Sequence, residues 1–572
     1  MSEQIPENSG TRQLKQLLAA WKTAVSGTNH PQPPAYEGAD IAITRLTEKT
    51  GEVIPGACFV ARVRETSDGH PYIGKAVELG ATMILAQRPL ADLNLTLPDN
   101  IVYLQVADTA ETTAWLAAAW EDFPSRHLVM IGVTGTDGKT TTSSIIHHVL
   151  KSAGLQVGLL STIKAIIGDK EEPLALHVTT PEAPVVQHQL RRMVEAGMTH
   201  CILESTSHGL AQHRVSAVDF DIAVVTNISH EHLDYHGSPE NYFAAKARLF
   251  HYLNLDDWAL STKNESKKRV RKTAVLNADD KSYPKLLEIG APCQVSYGLV
   301  KPANVTADDI AYTKNQTWFE LHFSEPLGLA YGQPQSPKME FAVPGYSYLL
   351  GEFNLYNTLA AVSVARVLDI SPEAIQEALK NIFNVKGRME RVTGWHDFIV
   401  VIDFAHTPNS LKNAIDTGRK MVKENKGRVI TVFGSAGKRD VEKRRLMPEI
   451  SARYADLTIL TAEDPRTESL DDILETMAAG CLSKGGVEGE TFWRIPDRGQ
   501  AIYFALSIAQ EKDIVMVCGK GHEQSMCFGT TEYPWDERQA LHAALKALHA
   551  GEPMPDLGLP TGSEWQSGKV AE

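Results

Sequence analysis

No stretch of about eighteen consecutive apolar residues occurs in this chain, which excludes a membrane-crossing helix. The polar opening MSEQIPENSG has no apolar centre and so is no signal peptide; the protein is expected in the cytoplasm, with no membrane partner. Basic residues are in deficit. With 56 Lys and Arg against 70 Asp and Glu the formal net charge is −14, which speaks against a nucleic-acid partner and for small-molecule substrates. Cysteine is scarce: Cys58, Cys201, Cys293, Cys481, Cys518 and Cys527 stand singly, with no Cys-x-x-Cys pair. That pattern weighs against a disulfide framework or a metal cluster and predicts free, mostly buried thiols. No short-period repeat marks a solenoid, and a monomer is expected.

What is present is an ordinary globular composition over 572 residues, enough for about three or four domains. Residues 1–35, ending in Asn29-His30-Pro31-Gln32-Pro33-Pro34, and residues 553–572 read as mobile tails. Residues 36–123 alternate apolar runs at 57–60, 82–86 and 101–106 with helical stretches, and stop before Pro124-Ser125-Arg126. Residues 124–386 repeat strand and helix, with strands at 200–203, 222–226 and 274–276; the basic run Lys263 to Lys272 reads as a solvated surface insertion. Residues 387–552 hold strands at 398–402, 429–433, 457–460 and 514–517.

The most informative segment is Gly132-Val133-Thr134-Gly135-Thr136-Asp137-Gly138-Lys139-Thr140-Thr141-Thr142, preceded by the apolar run Leu128 to Ile131 and followed by a helix from Ser143 to Leu150. Strand, glycine turn and helix form a phosphate cradle. Backbone N–H groups from Gly135 to Gly138 point at an anion, Lys139 adds a charge, and the hydroxyl of Thr140 or Thr141 can ligate Mg²⁺, so ATP or another nucleoside triphosphate is the expected ligand. The first glycine of the common pattern belongs at Val133; here glycine stands at 132 and 135. The fold expected is α/β in three domains: a smaller N-terminal α/β domain, a central P-loop-type doubly wound and mainly parallel sheet, and a C-terminal Rossmann-like α/β domain.

Three further features follow in the central block. Glu204 comes directly after the strand Cys201-Ile202-Leu203, where such sheets place their ligands. The segment Thr226 to His236, with His230, His232 and His236, follows another strand end. A carboxylate and a histidine converging on a triphosphate suit Mg²⁺. The helix Tyr242 to Phe250 carries Lys246 beside small alanines.

These motifs resemble the Mur ligase family, ATP-dependent amide ligases of peptidoglycan assembly. The likeness continues through Gly351 to Asn357, Gly387-Arg388-Met389-Glu390, Asp403 to Pro408 and Gly434 to Asp440, and covers about residues 36–550. Through Glu463-Asp464-Pro465-Arg466 and Gly519-Lys520-Gly521-His522-Glu523 it is closest to the tripeptide synthetases, the MurE branch. The resemblance implies an N-terminal domain for the UDP-substrate, a central one for ATP and a C-terminal one for the amino acid. It implies that Lys139 and Thr140 hold the phosphates, that Glu204 and His232 ligate Mg²⁺ with Thr140, and that Lys246 is the carbamylated lysine, an anionic carboxylate mimic able to bridge to a second Mg²⁺. Asn354, Arg388, Asp403 and His406 match positions that touch ATP. Thr179, Thr180, Thr206, Gln212 and Arg214 match the grip on the UDP-muramoyl dipeptide; Arg439, Asp464, Arg466, Gly519 and Glu523 match the site of the incoming diamino acid.

Two departures stand out. Where the branch reads Asp-Ser-Arg ahead of Pro-Gly, this chain has Lys49-Thr50-Gly51 ahead of Pro55-Gly56, although Phe59-Val60-Ala61 and Asp68-Gly69-His70 fit. The branch members that take meso-diaminopimelate read Asp-Asn-Pro-Arg where this chain has Glu463-Asp464-Pro465-Arg466. Arg466 favours a distal carboxylate, whereas the extra charge at Asp464 would repel one and favour lysine or ornithine; diaminopimelate is preferred slightly. The rival readings are a folylpolyglutamate or cyanophycin synthetase, against which the C-terminal motifs weigh, and a nucleotide-dependent switch, which would have little use for Glu204, His232 and Lys246 together.

Overall fold

The computed structural model describes residues 10–64, 67–162, 164–173, 180–229, 233–312, 316–324, 327, 339–349, 351–382, 384–394, 396–422, 426–438 and 441–561. The chain divides into two compact units: Met1–Ala307 with Leu321–Val343 and Tyr356–Ala378, and Asp308–Glu320 with Pro344–Leu355 and Leu379–Glu572.

The first unit holds two sheets besides the short pairing of Arg12–Gln13 with Ala42–Ile43. In the smaller, Leu46–Thr47, Cys58–Ala61, Met83–Ala86 and Val102–Gln105 run parallel in that order. Helices Leu14–Ala24 and Thr109–Trp120 share its core, and their indoles Trp21 and Trp115 stack with ring centroids 5.6 Å apart. Trp258 stacks on the other side of Trp115 at 5.1 Å, joining the N-terminal layer to the chain that follows the large sheet's central strands. Residues 12–24 are therefore not a mobile tail. Leu14, Leu17, Leu18 and Trp21 recur at helical spacing, and the apolar face they make is buried.

The large sheet passes in order through Lys170–Pro173, Lys164–Ile167, Val157–Leu160, His200–Glu204, Val129–Thr134, Ile222–Val225, Thr273–Asn277 and Cys293–Tyr297. From Val157–Leu160 to Cys293–Tyr297 all neighbours are parallel, and every residue of these strands is buried, as in a sheet covered on both faces. The basic run corrects the surface reading. Lys267 Nζ reaches Asp221 Oδ2 at 2.6 Å and Lys272 Nζ reaches Asp219 Oδ1 at 2.7 Å, both carboxylates being buried. Opposite charges compensate one another at the amino-terminal end of the central strand Ile222–Val225, so Lys267 and Lys272 clamp the run to the sheet while Lys263, Lys268, Arg269 and Arg271 stay exposed.

In the second unit a six-stranded sheet runs Glu390–Val392, Ile399–Asp403, Ile514–Cys518, Val429–Phe433, Leu457–Leu460, Phe492–Arg494, parallel except for the first strand. Beneath its carboxyl ends lies the fully buried pair Arg498 and Glu537, in which Arg498 Nε donates to Glu537 Oε2 at 3.0 Å. The end of the chain packs here: Met554 and Leu559 are buried and Thr561 Oγ1 donates to Asp497 Oδ2 at 2.9 Å, so the expected tail from residue 553 is folded as far as Thr561. All six cysteines are free and buried. Among the described residues, no helix is long and apolar enough to cross a membrane.

Candidate active site

In the first unit the strand Val129–Thr134 lies between His200–Glu204 and Ile222–Val225, so three parallel strands end side by side, with Glu204 opposite Val133 and Val225 opposite Thr134. Gly135 (φ +148°) and Gly138 (φ +84°) turn the chain into helix Lys139–Ser152, a turn that L side chains resist. At Gly138 a side chain would also strike the Asn357 carboxamide. Residues after the neighbouring strand latch the loop. Thr226 Oγ1 donates to the Asp137 carbonyl at 2.6 Å, Asp137 N donates to Asn227 Oδ1 at 3.1 Å, and Thr136 N donates to the Asn227 carbonyl at 2.8 Å.

The candidate side chains Lys139 and Lys246 converge on this loop, and Glu204 stands beside it. Lys139 Nζ donates to the carbonyls of Gly135 (3.0 Å) and Thr136 (2.8 Å). Lys246, buried on helix Pro239–His251, donates to the same Gly135 carbonyl at 2.6 Å, and its ammonium lies 4.6 Å from the Tyr242 ring centre. Buried Glu204 accepts at Oε2 from Thr140 Oγ1 (3.1 Å) and Thr162 Oγ1 (2.8 Å). Of the two threonines left open by the motif, Thr140 is the one beside the carboxylate. A carboxylate and hydroxyls are hard oxygen donors of the kind Mg²⁺ selects, so this donor set fits that ion. His232, with His230 and Glu231, lies outside the described residues, as do Thr179 and Arg439.

Next to Glu204 stand the residues matched to the nucleotide-sugar. Thr180 Oγ1 donates to the Glu204 carbonyl at 2.9 Å and sits 3.1 Å from Thr206 Oγ1, which caps the helix Ser207–Ala211. Arg214 donates to the Thr180 carbonyl (2.5 Å) and to Gln212 Oε1 (2.8 Å) and pairs with Glu182 at 2.7 Å; burial lowers its pKa against the pull of Glu182.

In the second unit Asp403 ends its strand, accepting at Oδ2 from Met389 N (2.7 Å) and at Oδ1 from Ala405 N (2.8 Å). The Arg388 guanidinium lies 4.5 Å from the Phe404 ring centre, and the rings of His406 and His522 approach the same phenyl ring at 4.4 and 4.8 Å. Asn354 is buried in the first turn of helix Glu352–Val367. The residues matched to the amino acid gather around Lys520. Its buried ammonium meets Asp464 Oδ1 at 2.9 Å and Glu523 Oε2 at 2.5 Å, while Cys527 N also donates to Asp464 Oδ1 at 3.0 Å. Arg466, at φ +55°, is held by backbone bonds to Cys527 and Gly529. Gly519 (φ +105°) leaves room for Glu463, whose carboxylate a Cβ there would approach to 3.3 Å.

Burial raises the Glu463 carboxyl to about 7 against the pull of Lys520, with Glu523 and Asp464 adding to the rise. The folded state thus holds a proton that the unfolded chain releases near 4.5, so this group's contribution to stability falls as pH rises between about 4.5 and about 7 and is level above that. Replacing Glu463 by Gln should remove that slope: the melting temperature of E463Q relative to the native protein should be higher at about pH 8 than at about pH 5. Parallel melting curves for the two proteins at both pH values would contradict it.

Comparisons with known proteins give the family of the chain. Residues 133–365 match the Mur ligase middle domain and residues 387–521 the Mur ligase glutamate ligase domain. The chain is 39% identical over 505 residues to the UDP-N-acetylmuramyl-tripeptide synthetase of Roseiflexus sp., covering 87% of this chain and 94% of that protein. It is 38% identical over 511 residues to the UDP-N-acetylmuramoyl-L-alanyl-D-glutamate–2,6-diaminopimelate ligase of Geobacillus thermodenitrificans, covering 89% and 96%. The chain belongs to the Mur ligase family. A solved structure of a UDP-N-acetylmuramoyl-L-alanyl-D-glutamate–2,6-diaminopimelate ligase superposes on this Mur ligase with a TM-score of 0.56 at 27% identity, covering 89% of this chain and 95% of that one.

Several site residues of this Mur ligase escape a reading of its motifs. Thr162 shares the Glu204 oxygen, Thr226 and Asn227 fasten the loop, and Asn357 accepts from Thr142 Oγ1 at 3.2 Å beneath it. Of these, Thr226, Asn227 and Asn357 lie within segments that carry the resemblance, whereas Thr162 has no sequence signal. Asp464, expected as an unbalanced charge, is compensated by Lys520.

Proposed function

We propose that this Mur ligase joins meso-diaminopimelate to UDP-N-acetylmuramoyl-L-alanyl-D-glutamate, using ATP and releasing ADP and phosphate. The observation that carries the reading is the convergence of Lys139, Lys246, Thr140 and Glu204 on one phosphate-type loop. Such a cluster has work to do only where a phosphoryl group is handled together with an oxygen-ligated metal. The relatives named above, at 38–39% identity, and the solved structure, at 27%, bear names of the same reaction.

A carboxylate and an amine do not condense at neutral pH without activation. The γ-phosphoryl group of ATP passes to the substrate carboxylate, the P–O bond to ADP breaking as the acyl phosphate forms; the amine then attacks the acyl carbon and phosphate leaves with the C–O electron pair. Glu204 and Thr140, with His232 by the family resemblance, would hold Mg²⁺, which would supply charge stabilisation on the transferring oxygens. The loop amides and Lys139 take the ATP phosphates, which draw Lys139 from the loop carbonyls it now satisfies. Lys246, as a carbamate, would present an anion beside Gly135 and offer further oxygens to the metal.

For the incoming amino acid, Arg466 offers a bidentate fork to a distal carboxylate and Glu523 an acceptor for an ammonium. Because Lys520 and the Cys527 amide take up the Asp464 charge, the repulsion that would favour lysine or ornithine is weakened, which supports diaminopimelate. Phosphate release measured with UDP-muramoyl dipeptide and ATP should be highest with meso-diaminopimelate, lower with lysine or ornithine. Release with none of the three would overturn the reading in favour of a folate- or cyanophycin-type ligase.

A further inference from the structure

Arg62 belongs to none of the motifs that point to the reaction, yet it ties the small N-terminal sheet to the residues around Glu204. Its backbone follows the strand Cys58–Ala61 and is pinned by the turn at Asp68-Gly69-His70. Gly69 N donates to the Arg62 carbonyl at 2.8 Å, and a Cβ on Gly69 would lie 2.7 Å from Arg62 N, so the turn closes only on glycine. Asp68 Oδ1 accepts from His70 N at 3.0 Å and bonds His70 Nδ1 at 2.6 Å, locking that turn.

From this base the side chain, 10% exposed, runs into the network of the large sheet. Nη1 meets Glu48 Oε2 and Glu182 Oε2, each at 3.1 Å, and Nη2 donates to the Gln212 carbonyl at 3.1 Å. The other oxygen of Glu182 holds Arg214 Nη2 at 2.7 Å. Arg214 in turn holds Thr180, Thr180 holds the Glu204 carbonyl, and Glu204 holds Thr140 of the phosphate loop. An exposed ion pair with one geometry to lose is worth little, but this guanidinium is largely buried and uses its fork on three acceptors at once. Arg64, a third guanidinium near Glu182, stands 3.8 Å away, too far for a hydrogen bond to take over the task.

We propose that Arg62 is a positioning residue for the nucleotide-sugar substrate: by holding Glu182 and the Gln212 turn it fixes the Arg214 guanidinium where the substrate's acidic groups bind. This rests on the function proposed above. Without Arg62, Glu182 keeps one strong partner fewer and is free to swing toward solvent, taking Arg214 with it. Binding of the UDP-muramoyl dipeptide then weakens, while ATP and the amino acid, held by other residues, are unaffected.

The test is steady-state kinetics of R62A, R62K and E182Q with each of the three substrates varied, together with calorimetric binding of UDP-muramoyl dipeptide alone and thermal melting. R62A should raise KM for the dipeptide about tenfold, the size expected for lost bonds to a charged group, with kcat and the other two KM values within about twofold. R62K, a point charge without the fork, should fall between R62A and the native enzyme, and R62A combined with E182Q should be no worse than the worse single variant. An unchanged dipeptide KM, or equal rises for all three substrates accompanied by a lower melting temperature, would overturn the proposal. If the native protein binds the dipeptide and R62A loses that binding but no amino acid is joined, the proposed function fails and the role of Arg62 stands. If the native protein does not bind the dipeptide, both fall.

Discussion

Lys246→Ala should leave the protein folded and lower ATP-dependent phosphate release by about 10²–10³-fold, the loss typical of removing one charge-stabilising group from a reacting centre. Alanine suits the middle of helix Pro239–His251, so the backbone there has no reason to change. What disappears is the one buried amine that shares the Gly135 carbonyl with Lys139. Lys246→Arg distinguishes two roles. A guanidinium keeps the positive charge but cannot become a carbamate, so R at this position should be as inactive as A if the anionic form is the working one. Removal of dissolved CO₂ should then slow the native enzyme, with bicarbonate restoring it. Turnover of K246A within about threefold of the native rate would remove Lys246 from the mechanism.

The largest effect on stability is expected from Glu537→Ala. Arg498 is wholly buried and gives its donors to Glu537, to the Ala462 carbonyl (3.0 Å) and to the Cys518 carbonyl (2.8 Å), while Trp535 Nε1 donates to Glu537 Oε2 at 2.5 Å. Removing the carboxylate strands a charged guanidinium and an indole N–H in the core, a loss of about 3–5 kcal/mol. For a unit of this size that corresponds to roughly 10 °C of melting temperature, readable by calorimetry. Replacing both partners, as in Arg498→Met with Glu537→Leu, should cost less than Glu537→Ala alone, because no charge is left without its counterion. A melting temperature for E537A within about 2 °C of native would refute this account. The same substitution bears on the site, since Ala462 and Cys518 immediately precede Glu463 and Gly519.

Why some of this was readable from the residues and some was not follows from the range of the forces involved. Strands covered on both faces are read from apolar runs, and those expected at 429–433 and 457–460 are the observed Val429–Phe433 and Leu457–Leu460; others differ by one to three residues at their ends. The phosphate loop was legible because its chemistry is local: glycines for the turn, lysine and threonine at the helix start. Leu14–Ala24 was overlooked although its apolar spacing is plain, because the proline cluster at 31–34 drew the boundary past it. Lys267 and Lys272 read as solvated because their counterions, Asp221 and Asp219, lie some fifty residues earlier, and a charge run does not announce what it faces. The same holds for Asp464, whose partner Lys520 is 56 residues away. Thr162, Thr226 and Asn357 act by meeting a loop or carboxylate from elsewhere in the chain, which is a property of the folded state.

The indole stack at Trp21, Trp115 and Trp258 has a practical corollary. Three of the nine tryptophans sit face to face across the seam between the N-terminal layer and the segment linking the large sheet's strands Ile222–Val225 and Thr273–Asn277. Parting of that seam separates these chromophores and wets them, so intrinsic fluorescence is a built-in optical gauge of whether the amino-terminal layer is seated.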